Sequence, residues 1–298
     1  VVIIGLVVIS FLSGAIGSSM FGIAMPAWMI VESPHVSLPA HTLFHIGSFP
    51  ISNAVFTSWV TMLVLVLLFG LVGRRSKLVP GRMQGIIEGI LGWLLDFCVG
   101  VAGEQNGRRF FPVVTTIFLF VLFNGWLGLL PGYGTILYGH GENMVHILRP
   151  ANTDLNTPLA LAIVSFIATL IVGFGTLKFR FLKQYFPWHL WIDAFKKLFA
   201  GNIGGFGSGL FNALIGSFVG LLELLSLFIR IISFTFRLFG NMTAGEILLL
   251  VVMFLMPYVA AVIFYGLELL VGVIQALIFG GLTLIFLTMA AMDHDEAH

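Results

Sequence analysis

The sequence predicts an all-α, polytopic membrane protein with about six membrane segments, the last two forming a long, strongly tilted helix pair. Three observations carry this expectation. The 298 residues include only 14 Lys and Arg and 13 Asp and Glu, 9% together, where an ordinary soluble domain has roughly 25%. Hydrophobic residues make up 59%, and Phe alone contributes 30, so there is too little polar surface to cover a globular core. Apolar runs free of charge recur at 1–31, 51–73, 110–131 and 157–177, and two more meet at Pro257. Each has the roughly 20 residues that a helix needs to cross the hydrocarbon core.

The first run, 1–31, is read as an extra spanning helix followed by an external loop to residue 50; a processed leader or an interfacial anchor are the alternatives. Residues 51–298 hold the remaining membrane segments. Its formal net charge of +1 argues against a nucleic-acid partner. Cys98 is the one cysteine, so no internal disulfide can form.

Orientation follows from the basic residues. Arg74, Arg75, Lys77, Arg82, Arg108 and Arg109 crowd the segment 74–109, and Lys178, Arg180, Lys183, Lys196 and Lys197 crowd 178–205. The intervening loops, 29–51 and 132–156, hold only Arg149. The positive-inside rule places the two basic segments, and both termini with them, on the cytoplasmic side. The stretch 80–107 carries Arg82, Glu88, Asp96 and Glu104; it is a poor span and reads as an amphipathic hairpin on that side. Trp188 and Trp191, near lysines, read as an interfacial belt.

The C-terminal runs are too long to stand upright. Phe206 to Met256 contains no proline and would extend about 77 Å as a helix. Tyr258 to Met292 would extend about 52 Å, against about 30 Å of hydrocarbon. Such helices tilt steeply or break, with the glycines of "GNIGGFGSG" and Gly240 as the candidate breaks.

Five charged residues lie between Phe199 and Met292: Glu223, Arg230, Arg237, Glu246 and Glu268. Charges at such depth are costly and mark function or an internal pair. Glu223, Arg230 and Arg237 recur every seven residues, so they share one stripe, and Asn241 follows Arg237 by one turn. Glu246 stands nine residues from Arg237, half a turn away, on the other side of the helix. Glu268 and Gln275 share a stripe on the last helix. A guanidinium keeps its proton at any physiological pH and acts as a fixed charge, whereas carboxylates can relay protons. An internal salt bridge from Arg237 to a glutamate is the competing reading.

"RLFGNMTAGE", with "IQALIFGGLTLIFLTMA" on the last helix, resembles the a subunit of the membrane sector of F-type rotary ATP synthases. The blocks "VPGRMQGIIEGILGW", "RRFFPVVTTIFLFVLFNGWLGLLPG" and "ANTDLNTPLALAI" extend the resemblance over roughly 40–298. It implies a non-catalytic stator subunit whose tilted helix pair faces a rotating ring of c subunits. Peripheral-stalk b subunits, the catalytic head and the lipid bilayer are the other implied partners, in a bacterial inner membrane. Arg237 then matches the essential arginine facing the ring carboxylate, and Asn241 the asparagine one turn on. Glu246 and Glu268 match the acidic pair of the half-channel open to the non-cytoplasmic side, and Gln275 the glutamine near the arginine. Glu223 and Arg230 match polar positions towards the second half-channel. No cofactor or metal is implied, and this chain would make no ATP itself.

Two positions depart from the family pattern. Gly128 stands where an acidic residue is usual, and Asn124 is offset by one from the usual asparagine, which leaves Asn124 a weaker channel candidate. Asp154 and Asn156 either line the inlet or cap a helix. His35, His41, His45, His140 and His146 lie in the external loops, where channel-mouth or loop roles compete with metal binding. The alternative to a stator is a secondary transporter or channel with an intramembrane Arg/Glu site.

Overall fold

The computed structural model describes residues 2–15, 41–77, 79–130, 137–138, 145–178, 187–199, 203–256 and 259–292. Helix α1 covers Val2–Ser13; the rest of the expected first span, 16–31, lies outside the described residues. A small hairpin follows, β1 (Thr42–Ile46) against β2 (Phe49–Ser52), antiparallel. Its two-residue turn begins at Gly47, whose φ of 64° is the kind that hairpin turns demand and that glycine adopts without strain. A second short pair, β3 (Leu137–Tyr138) with β4 (Val145–His146), sits in the next loop. Neither pair carried a pattern long enough to be read in the sequence.

Among the described residues, five helices are long and apolar enough to cross a membrane, and the chain is a multi-pass membrane protein. Helix α2 spans Asn53–Arg74 and starts at Ser52, whose side chain accepts from the Val55 N–H, a regular N-cap. Helix α3 runs from Arg82 to Leu129 but reverses at Gly103, where φ is 78° and ψ 168°. The reversal is tight: a Cβ on Gly107 would lie 2.7 Å from the Val99 Cα, so only glycine lets the arms meet. Further along, Trp93 and Phe118 bring their rings to 6.5 Å across the same two arms. The stretch 80–107 is thus the bend and first arm of a hairpin, and its second arm continues into the next span.

A 3₁₀ turn at Ala151–Thr153 leads into α4 (Asn156–Leu177). Helix α5 (Trp188–Phe199) precedes the two longest elements, α6 (Ile203–Leu255) and α7 (Val259–Ala291). With 53 residues, α6 has a contour of about 80 Å. It continues through Gly240 without a break, since the flanking turns keep their backbone ladder and glycine costs only about 1 kcal/mol inside a helix. The expected escape by breaking is not taken there.

The chain divides into two units. One holds Val1–Leu94, Val114–Pro158 and Phe236–Gly280. In it the second arm of α3 is clasped by α6 and α7 through glycines. Gly125 faces Met242, Gly272 faces the Trp126 indole at 3.5 Å, and Gly280 faces Phe118 at 3.5 Å. Trp126 Nε1 donates to the Leu269 carbonyl at 3.1 Å. Small residues let membrane helices approach closely where apolar burial alone gives no driving force.

The other unit holds Leu95–Val113, Leu159–Thr235 and Gly281–His298. Here Ser165 and Thr283 share a buried hydrogen bond of 2.9 Å between α4 and α7. Phe234 and Phe286 pack at 5.7 Å. Trp191 Nε1 donates to the Ser217 hydroxyl at 2.7 Å, fastening α5 to α6, while Trp188 stays 68% exposed.

Candidate functional site

Within the first unit, α6 from Phe236 onwards has two faces. Leu238, Met242, Gly245 and Leu249 are buried, and Phe236, Arg237, Gly240, Ala244 and Leu248 are exposed. Arg237 stands on the exposed face, and among the described residues no carboxylate lies within salt-bridge reach of it. The internal salt bridge from Arg237 to a glutamate is therefore not formed there. Four residues on, a rotation of about 40° carries Asn241 to the edge that meets α7. Its Nδ2 donates to Gln275 Oε1 at 3.3 Å. Gln275 is buried, and its Nε2 has no partner among the described residues.

Glu246 lies on the opposite side of α6 from Arg237. Its Oε2 accepts from the Arg149 guanidinium at 3.2 Å. Glu268 on α7 is 6% exposed. Its carboxylate rests on Gly245, in the very space that a Cβ at that position would fill. Glu246 and Glu268 thus come to neighbouring places, but the charge partner of Glu246 is Arg149.

Arg149 is the residue that sequence reasoning passed over. It is 8% exposed and belongs to a loop docked at several points. The Arg149 N–H donates to Thr57 Oγ1 on α2 at 3.2 Å, and the Asn152 N–H donates to Asn124 Oδ1 on α3 at 3.3 Å. Asn124 in turn donates from Nδ2 to Thr61 Oγ1 at 3.3 Å. Pro150 sits over Gly128, where any larger residue would displace its ring. Glycine at 128 and asparagine at 124 are therefore explained by the loop they receive. The available signal for Arg149 was its isolation as the sole basic residue in 29–51 and 132–156.

Asp154 accepts from the Asn156 N–H at 3.2 Å and from its Nδ2 at 3.1 Å. The contact is an Asx turn just ahead of α4. In the second unit Arg230 lies 3.4 Å over the centre of the Phe286 ring, a cation–π contact with α7, and Glu223 is half-buried. His41 and His45 are exposed, and His35 and His140 lie outside the described residues. Among the described residues no three His, Cys, Asp or Glu side chains come together as a metal-sized group.

What this arrangement can do follows from the charges. The inner face of α6 offers a carboxylate with a fixed cation beside it and a second, buried carboxylate one helix away. The outer face offers a guanidinium with its pairing capacity unused by the described chain.

Comparison with known proteins agrees with this picture. The family described as ATP synthase A chain matches residues 55–288. ATP synthase subunit a of Gloeobacter violaceus is 30% identical over 264 residues, 88% of this chain and 94% of that protein. The subunit a of Nitratidesulfovibrio vulgaris is 33% identical over 260 residues, 85% and 94% respectively. ATP synthase subunit a 1 of Pelobacter propionicus is 31% identical over 247 residues, 83% and 90%. Matches of this extent leave no part of the site outside the shared region, and the chain belongs to the ATP synthase A chain family.

Proposed function

We propose that this chain is the non-catalytic stator subunit that passes protons to and from the carboxylates of a rotating c ring. The observation that carries this reading is the two-faced α6. Arg237 is presented outwards without a carboxylate among the described residues, while Glu246, Glu268, Asn241 and Gln275 are gathered towards the interior. A guanidinium exposed on an apolar helix is costly in lipid, so its natural counter-charge belongs to another subunit. The identity of its relatives, ATP synthase subunit a, supports the same assembly.

In this mechanism a proton enters from the non-cytoplasmic side past Glu246 and Glu268 and neutralises a ring carboxylate. The neutral site can turn into lipid, which the charged one cannot do cheaply. After nearly a full revolution the carboxylate meets the second path, near Glu223 and Arg230, and loses its proton to the cytoplasmic side. Arg237 stands between the two paths and holds the passing carboxylate ionised. The membrane potential supplies about 2.3 kcal/mol per charge per 100 mV, which the turning ring conveys to the catalytic head. Peripheral-stalk b subunits hold the chain still. Both termini face the cytoplasm of a bacterial inner membrane.

The test is Arg237→Ala in reconstituted complexes of verified subunit composition. Proton-driven ATP synthesis is expected to vanish while the complex stays assembled. Synthesis retained in an intact assembly would exclude the reading.

A further inference from the structure

We propose that Arg149 is a second fixed cation of the proton path, a positioning residue that holds the Glu246 carboxylate in its working orientation. The proposal rests on the reading of Glu246 as a proton-carrying group. Three features of the pair carry it further than an ordinary salt bridge.

The first is asymmetry. The Arg149 side chain is 10% exposed and that of Glu246 is 31% exposed. The cation is closed off and the carboxylate is left partly uncovered by the chain. Only the carboxylate can change its charge, since a guanidinium does not release its proton. One oxygen, Oε2, is held at 3.2 Å.

The second is the construction beneath the arginine. Its own N–H is held by Thr57, the next residue's ring is seated on Gly128, and Asn152 is held by Asn124. Thr153 Oγ1 closes the loop by donating to the Pro150 carbonyl at 2.7 Å. A loop docked on α2 and α3 delivers one guanidinium to one face of α6, where no described residue of α6 or α7 supplies a cation.

The third is that stability alone does not call for the pair. Burying an arginine costs desolvation that an ion pair barely offsets, and apolar residues of similar volume serve a core as well or better. The charged groups that face Glu246 among the described residues are Arg149 from the loop and Glu268 from α7. The two faces of α6 therefore each have a fixed cation, one carried by the helix and one delivered to it. Glu246 is met by one guanidinium nitrogen, Nη2, so a lysine ammonium can replace it, which would not hold for a two-pronged fork.

The experiment uses assembled complexes in proteoliposomes energised by an imposed proton gradient, with ATP synthesis as the readout. Arg149→Gln is expected to lower the rate about tenfold with subunit composition unchanged, while Arg149→Lys keeps at least about half of it. Placed on Glu246→Gln, Arg149→Gln is expected to cost less than about twofold more, because the group it positions is already gone. Arg149→Gln within twofold of wild type, Arg149→Lys as slow as Arg149→Gln, or a full further loss on Glu246→Gln would each overturn the proposal. If Arg149→Gln does not assemble, Arg149→Lys decides alone: half the wild-type rate supports the proposal and a tenfold loss overturns it. A wild-type rate for Glu246→Gln would instead overturn the reading of Glu246 on which the proposal rests.

Discussion

Arg149 lies buried in a docked loop with its charge met by Glu246, whereas Arg237 stands on the exposed face of α6 with no described carboxylate near it. Both belong to the same unit, and both sit among apolar helices. The fold of this chain accounts for the first arginine: the contacts that place it are internal. It does not account for the second. A charge that no described residue buries or neutralises fits the partner proposed above, and the small neighbours Gly240 and Ala244 on the same face leave room for a helix to approach it. On the function proposed above, the contrast separates a residue that tunes the interior path from one that meets the partner.

Substitution at Arg237 puts the most weight on that contrast. A fixed charge 4 Å from a carboxylate contributes about 4 kcal/mol at an effective dielectric near 20, which is on the order of a thousandfold in rate. Arg237→Gln should reduce proton-driven synthesis by that order in an assembled complex, far more than Arg149→Gln. Equal losses at the two arginines would erase the distinction between them.

Gly245→Ala comes next. The added methyl would occupy the space of the Glu268 carboxylate, forcing that group off its seat, and displacements of this kind cost on the order of tenfold or more. The synthesis rate should fall while Arg237 and its face remain untouched. Asn124→Ala acts on the loop rather than on the path. It leaves the Asn152 N–H without its acceptor in a buried place, a loss of about 1–3 kcal/mol in stability. A lower thermal midpoint of the complex, with a smaller fall in rate than Arg149→Gln gives, is the expected result.

The smallest effect is expected at Gly70 of α2, which is exposed and where an added methyl would meet nothing within 4 Å. Gly70→Ala should raise helix stability by about 0.5–1 kcal/mol, leaving the synthesis rate unchanged.

Much of this was legible from residues alone. The half-turn between Arg237 and Glu246 follows from nine residues at 3.6 per turn, and the structure places them on opposite faces. The limits of α2 and α4 follow to within two residues from the charge-free runs 51–73 and 157–177. The two pairings made by Glu246 and Asn241 were not legible. Arg149 is 97 positions from Glu246, and no periodicity links a loop residue to a helix face across that distance. Asn241 shares a stripe with Arg237 in projection, but whether a residue 40° round the helix faces solvent or α7 is decided by where α7 packs. Gly128 looked like a missing acid. Its reason is the Pro150 ring, which only the folded loop brings there.

If Arg237 pairs with a ring carboxylate, its face of α6 is covered by the ring in the working complex. Photo-cross-linking reads this cover at single positions, with a photoreactive residue in place of Ala244 on the exposed face and, in a parallel complex, in place of Met242, which is buried against Gly125. Position 244 is expected to capture the small, many-copy ring subunit, and position 242 is not. An absence of ring adduct at 244, or equal capture from both positions, would contradict the pairing.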